Sequence, residues 1–261
     1  MTTPRAFDEW TPWLGARAGE LSTSILFLTR LPLPRHAPLS GNAIADASWA
    51  FPLAGVVVGL IGAVIYALAH RLGLPPWPAA ALTVTATLLV TGCLHEDGLA
   101  DTADGFGGGD TVERKLDIMR DSRIGTYGVC ALILSLVIRT ATLASLADPG
   151  LVAAALIASH AAARAIMPAL MFFLPPARND GLSFSAGAPS VERTGAALVI
   201  AIVILLFAMG FVMTVEMLIA LAVVGVILAR LSERQVGGQT GDVLGALEQI
   251  GEIAVLLVAV R

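Results

Sequence analysis

Charge is scarce in this chain. Of its 261 residues only 14% are Asp, Glu, Lys or Arg, while 56% are hydrophobic. Cysteine is scarcer: Cys93 and Cys130 stand alone, in or beside apolar stretches and without paired metal-ligand spacing. That spacing excludes a zinc ribbon or a disulfide-stapled scaffold, and both thiols are expected to be reduced core residues. No basic tract is present and the net charge is −4, so nucleic acid is not an expected partner. A cleavable signal is not expected either, because Asp8, Glu9 and Pro12 spoil the start and no short apolar core follows.

What is present is apolar length. Mean hydropathy is +0.81, and runs long enough to span a bilayer recur along the chain. The reading is an all-α, polytopic integral membrane helix bundle of about seven transmembrane helices. These are placed at Trp49–Ala69, Pro78–Leu94, Tyr127–Leu146, Leu151–Leu174, Thr194–Val212, Val215–Leu231 and Val243–Val260. The fifth and sixth are separated by a tight hairpin near Glu216, because a single span there would be too long for a bilayer. Residues 1–48 form an N-terminal cytoplasmic or interfacial region, with Ala18 to Leu31 helical, ahead of a catalytic bundle over 49–261. With the N-terminus in the cytoplasm, twelve of the sixteen basic residues fall on that side. Only Arg71 and Arg261 fall opposite, and Arg139 and Arg164 lie within spans. This bias sets the orientation and puts every motif loop on the cytoplasmic face of the inner membrane.

The polar residues are concentrated in HEDGLADTADGFGGGDTVERKLDIMRDSRIGTYG, from His95 to Gly128. Asp97, Asp101 and Asp104 sit at i, i+4 and i+7, within roughly 60° of arc on a helix. Three carboxylates on one face at a span end call for a cation, and Mg²⁺ held by a few carboxylates suits phosphate chemistry. Gly105, Gly107, Gly108 and Gly109 are expected to end that helix and let backbone N–H groups approach an anion. A short basic helix follows, where Arg120 and Arg123 suit bidentate phosphate binding; Lys115 suits phosphate or lipid headgroups equally. His95 points roughly 160° away from Asp97 on a continuous helix.

HEDGLADTADG followed by IMRDSRIGTYG resembles cobalamin synthase, the adenosylcobinamide-GDP ribazoletransferase family. FLTRLPLP near the N-terminus, the ARNDG turn at Ala177–Gly181 and GGQTGDVLGA near the C-terminus extend the likeness along nearly the whole chain. Glu96 departs from it, standing where an apolar residue is expected. The resemblance implies an enzyme joining adenosylcobinamide-GDP to α-ribazole, or to its 5′-phosphate, with release of GMP. It implies Mg²⁺ on Asp97, Asp101 and Asp104, with Arg120 and Arg123 offsetting phosphoryl charge. The substrate would be bound by Gly105, Gly107, Gly108, Lys115, Gly125, Tyr127, Arg178 and Gly241. Asp104 or Asp242 is the expected base, with a supporting or nucleotide-binding role for His95. A homo-oligomer is compatible with the sequence.

Two rivals share parts of this pattern. A CDP-alcohol phosphotransferase or an aromatic prenyltransferase also sets aspartates around Mg²⁺, but the former's DGxxAR run has no arginine here. A transporter would use His160 and Arg164, and Glu248 and Glu252, as an ion path near the midplane. Structural pairing, such as Arg164 with Glu248, and a direct substrate role account equally well for those four, and Arg139 is expected to be structural.

Overall fold

The computed structural model describes residues 6–33 and 42–261, with side chains from Trp13 onward. The end of FLTRLPLP therefore lies outside the described residues. Eleven α-helices follow one another among the described residues, with a short 3-10 helix at Ser48–Ala50 between the second and third. They are α1 (Ala6–Leu28), α2 (Ala43–Ala47), α3 (Phe51–Arg71), α4 (Pro76–Thr91), α5 (Leu94–Gly108), α6 (Val112–Ile118), α7 (Thr126–Leu146), α8 (Pro149–Phe173), α9 (Gly181–Ala186), α10 (Val191–Val236) and α11 (Gly241–Ala259). There is no strand among them, only an isolated parallel bridge between Pro176 and Gln239.

The class is the expected one, an all-α membrane bundle, while the count of seven is not confirmed. Four helical stretches are long and apolar enough to cross a bilayer: Ala43–Arg71, α7, α8 and α10. A fifth arises if α4 and α5, bent by 90° at Gly92 and Cys93, make one broken span. Gly92 and Cys93 both adopt left-handed backbone, so the chain turns there instead of continuing the helix. α11, expected as the last span, carries Asp242, Glu248 and Glu252 and is buried among other helices along most of its length.

α10 runs over 46 residues, about 69 Å of helix against a bilayer core of about 30 Å. Gly210 interrupts it at φ 75° and ψ 174°, a conformation glycine adopts without a Cβ penalty. Both arms line one apolar cavity of about 690 Å³, Leu198 and Leu205 from the first, Leu218 and Leu221 from the second. The chain thus folds back as the expected pair of apolar runs, with the break at Gly210 and not at Glu216.

α8 is the centre of the bundle, and its alanine-rich faces explain how. Ala158, Ala161, Ala162 and Ala163 are wholly or almost wholly buried, so neighbouring backbones come close. On α3, Gly55 and Gly59 face α8 directly; a Cβ at Gly59 would stand 2.7 Å from the Leu156 carbonyl oxygen. Small residues four apart are the usual means of such close approach in lipid. α1 reaches from Ala6 to Leu28, longer than expected, and is fastened by Glu20, which accepts from Trp49 Nε1 at 2.5 Å and from Arg193 at 2.8 and 2.9 Å. Both cysteines are exposed, contrary to expectation, and form no disulfide. An apolar sequence neighbourhood does not distinguish a core position from one on the outer face of a membrane helix.

Candidate active site

The site forms where α5 and α11 cross. Gly98 of α5 and Gly245 of α11 meet backbone to backbone; a Cβ at Gly98 would lie 2.7 Å from the Asp242 carbonyl oxygen, and one at Gly245 would lie 3.2 Å from Gly98 Cα. No side chain fits between them, and this contact carries Asp242 to the face of α5 that holds Asp97 and Asp101. Asp97 is exposed and Asp101 half-buried. Partial burial, then the charges of Asp97, Asp242 and Asp104, push the Asp101 carboxyl up to about 7. Burial likewise raises Asp242, against the lowering pull of Arg178.

Arg178 spans this cluster. It lies 3.5 Å from Asp242 and 3.5 Å from Asp180, and its buried Nη1 has no hydrogen-bond partner. Beyond it, Arg120 Nη2 donates to both oxygens of Asp180 at 2.7 and 2.8 Å. Acids and arginines therefore form a continuous line from α5 to the turn after α6, a line of anion-seeking and cation-seeking groups side by side.

Asp104, the third member of the expected metal triad, is turned to another task. Its carboxylate accepts from Gly125 N–H at 2.6 Å and Gly128 N–H at 2.9 Å, capping the start of α7. A negative charge there also complements the positive end of that helix. Gly125 and Gly128 are glycines for a packing reason, since a Cβ at either would strike the Asp104 carboxylate. On the far side of Asp104 a cavity of about 270 Å³ opens, lined by Gly108, Arg123, Gly125 and Tyr127 among others. Arg123 is exposed there and paired to Asp121 at 2.6 Å, not to the acidic cluster. Its hydrogen bonds hold Asp121 down to about 2.

The glycine run differs from expectation. α5 continues through Gly108, so Gly105, Gly107 and Gly108 sit within the helix and offer no loop for an anion. Their smallness serves contact instead: Gly107 lies against the Tyr127 ring, Gly105 against Met119, and Gly109 against Lys115. α6 stops at Ile118, leaving Arg120 and Arg123 in the turn that follows. Gly241 opens α11 with little around it.

His95 is on the opposite face of α5 from the aspartates and reaches no reacting group in this cluster. Its Nδ1 lies 3.4 Å from Arg164 and 3.5 Å from Glu248, deep in the bundle. There Arg164 pairs with Glu248 at 2.5 Å, and Arg139 with Glu252 and Glu96, both at 2.8 Å. The residues of the supposed ion path are thus each other's partners, and Glu96 has its reason in Arg139. His160, Glu248 and Glu252 bring ligand atoms within 4.8 Å of one another. The two arginines already serve as their counter-ions, so this group is a structural junction. Asp180, Gly98 and Gly245 were the residues missed by sequence reasoning. Only the glycine in each acidic motif gave a signal.

These features define a polytopic all-α membrane protein with an acidic, arginine-bordered cluster at one end of its bundle. A family model described as cobalamin-5-phosphate synthase matches residues 20–260, and the chain belongs to that family. An adenosylcobinamide-GDP ribazoletransferase of Bradyrhizobium diazoefficiens is 56% identical over 240 residues, covering 92% of each chain. Proteins of the same name from Mesorhizobium japonicum and Azorhizobium caulinodans are 52% and 46% identical, over 92% and 91% of this chain and 92% and 94% of their own. No solved structure matches the chain.

Proposed function

We propose that this protein joins adenosylcobinamide-GDP to α-ribazole, or to its 5′-phosphate, at the cytoplasmic face of the inner membrane. A ribose hydroxyl that is free in both acceptors, and therefore not the 5′ one, bonds through its oxygen to the phosphorus carried by the cobinamide and gives up its proton, the bridging P–O bond breaks, and GMP leaves with the electron pair. The products are adenosylcobalamin, or its phosphate, and GMP. The observation that carries this reading is the meeting of Asp97, Asp101 and Asp242 across the Gly98–Gly245 contact, with the unpartnered Nη1 of Arg178 beside them.

Crowded hard carboxylates fit a divalent cation such as Mg²⁺, and the elevated Asp101 shows how strongly this face resists carrying its charge alone. Asp97 and Asp101 would hold it; when bound it would supply charge neutralisation to the diphosphate. Asp104 is spoken for by α7, which leaves Asp242 as the acceptor of the hydroxyl proton. Its raised affinity for a proton suits that role. Arg178 and Arg120 offset the charge of the transferring and departing phosphoryl groups. Purified protein in lipid, given both substrates and Mg²⁺, should yield cobamide and GMP in equal amounts. Absence of both products in fully folded protein would defeat the assignment.

A further inference from the structure

Asp180 stands at the N-cap of α9, where an aspartate ordinarily accepts from the first helical N–H groups and stabilises the helix by about 1 kcal/mol. Here its side chain makes no such bond. Both of its oxygens accept instead from Arg120 Nη2, and Oδ1 lies 3.5 Å from Arg178 Nε. Arg178 is itself shared with Asp242 of the acidic cluster. Gly181, at φ 82°, keeps room for that arrangement: a Cβ there would press within 3.2 Å of the Arg178 guanidinium.

Two arginines from separate elements thus converge on one small anion at the border of the site. Charge-assisted bonds of this kind are made equally well to carboxylate or phosphate oxygens. The Arg120–Asp180 pair is also solvent-exposed, with side chains 46% and 61% accessible, so it exchanges readily for a better anion. We propose that Asp180 is an internal stand-in for a phosphoryl group: it holds Arg120 and Arg178 in place in the empty protein and is displaced when the diphosphate binds. The inference rests on reading the cluster as a diphosphate site. Asp180 is a positioning residue in this account, and its charge competes with the substrate's.

Competition makes a prediction opposite to that of a merely structural residue. Inorganic pyrophosphate is titrated calorimetrically into the full-length, detergent-purified protein with Mg²⁺ present. Asp180→Asn should bind it about two- to fivefold more tightly than wild type, the range expected when an exposed ion pair no longer has to be broken. In an Arg120→Ala background the same substitution should gain less, because one of the two released cations is gone. Unchanged or weaker binding by Asp180→Asn overturns the proposal, as does a gain of equal size without Arg120, which would mean only a general change in charge. Wild-type protein that binds pyrophosphate but forms no cobamide would remove the proposed activity and leave this inference standing. Normal turnover with no gain in Asp180→Asn would do the reverse.

Discussion

Asp101 and Asp104 lie three residues apart on one helix and meet different fates, because one faces other carboxylates and the other faces backbone donors. With its carboxyl at about 7, Asp101 holds a proton on the acid side of neutrality, and a cation must displace it. The Mg²⁺ concentration giving half-maximal activity should therefore rise as pH is lowered from about 8 to about 6, and Asp101→Asn should flatten that dependence. Stability follows the same linkage. A carboxyl raised by folding favours the native state while protonated, so cation-free protein should melt higher as pH falls through 7 and lower above it. Adding Mg²⁺ at about pH 8 should restore the lost melting temperature; no response to Mg²⁺ there would take the cation away from this face. Asp104→Asn makes the contrasting case. Weakening two charge-assisted bonds to Gly125 and Gly128 should cost about 1–2 kcal/mol of stability while leaving the Mg²⁺ requirement alone. Spacing showed that the three aspartates share a face, but not that α7 begins within reach of the third.

At the scale of elements, the site depends on how closely two helices can cross. The glycines of HEDG and GDVLG were visible as residues in the sequence, and their partnership was not, since 147 positions separate Gly98 from Gly245. Gly98→Ala places a methyl group against the Asp242 backbone, and α5 must move off α11 to admit it. Overpacking of this kind costs about 1–3 kcal/mol, and Asp242 should shift away from Asp97 and Asp101. Turnover should fall at least tenfold, with the protein still inserted and monodisperse. Gly195→Ala on α10, with nothing within 4 Å, is the matched control and should keep full activity. Equal activity in the two variants would show that the crossing does not set the geometry. The arginine–glutamate junction beneath it is of the same scale. Arg139 ties α7 to both Glu96 of α5 and Glu252 of α11, so Arg139→Leu should cost about 3–5 kcal/mol by leaving buried carboxylates uncompensated.

For the whole molecule, hydropathy identified a helical membrane bundle, while its count of seven spans is not confirmed. An apolar helix facing lipid and one enclosed by protein have the same composition, so hydropathy did not show that Val243 to Gln249 of α11 are all buried. The turn at Gly92 and Cys93 was hidden for a related reason: apolar residues continue up to it, and only backbone conformation shows the 90° bend. The expected orientation rests on a further signal, the distribution of basic residues. The acidic site and the arginines of the α6 turn lie at the far end of α4 from the loop between α3 and α4. Basic residues favour the cytoplasmic side in short loops, and among the described residues Arg114, Lys115, Arg120, Arg123 and Arg178 lie at the end that carries the site. Both native cysteines are exposed, so Cys93→Ser and Cys130→Ser should give a folded background without labelling sites. In it, Gly108→Cys, whose Cβ meets only the tip of Ile118 at 3.5 Å, should react solely with thiol reagents admitted to the cytoplasm. Leu72→Cys, at a residue 79% exposed, should react with impermeant reagent from outside intact cells. Labelling of both positions from one side would mean that α4 does not cross. The acidic site would then have to be placed without its aid, and the cytoplasmic supply of nucleotide and Mg²⁺ would lose its structural basis.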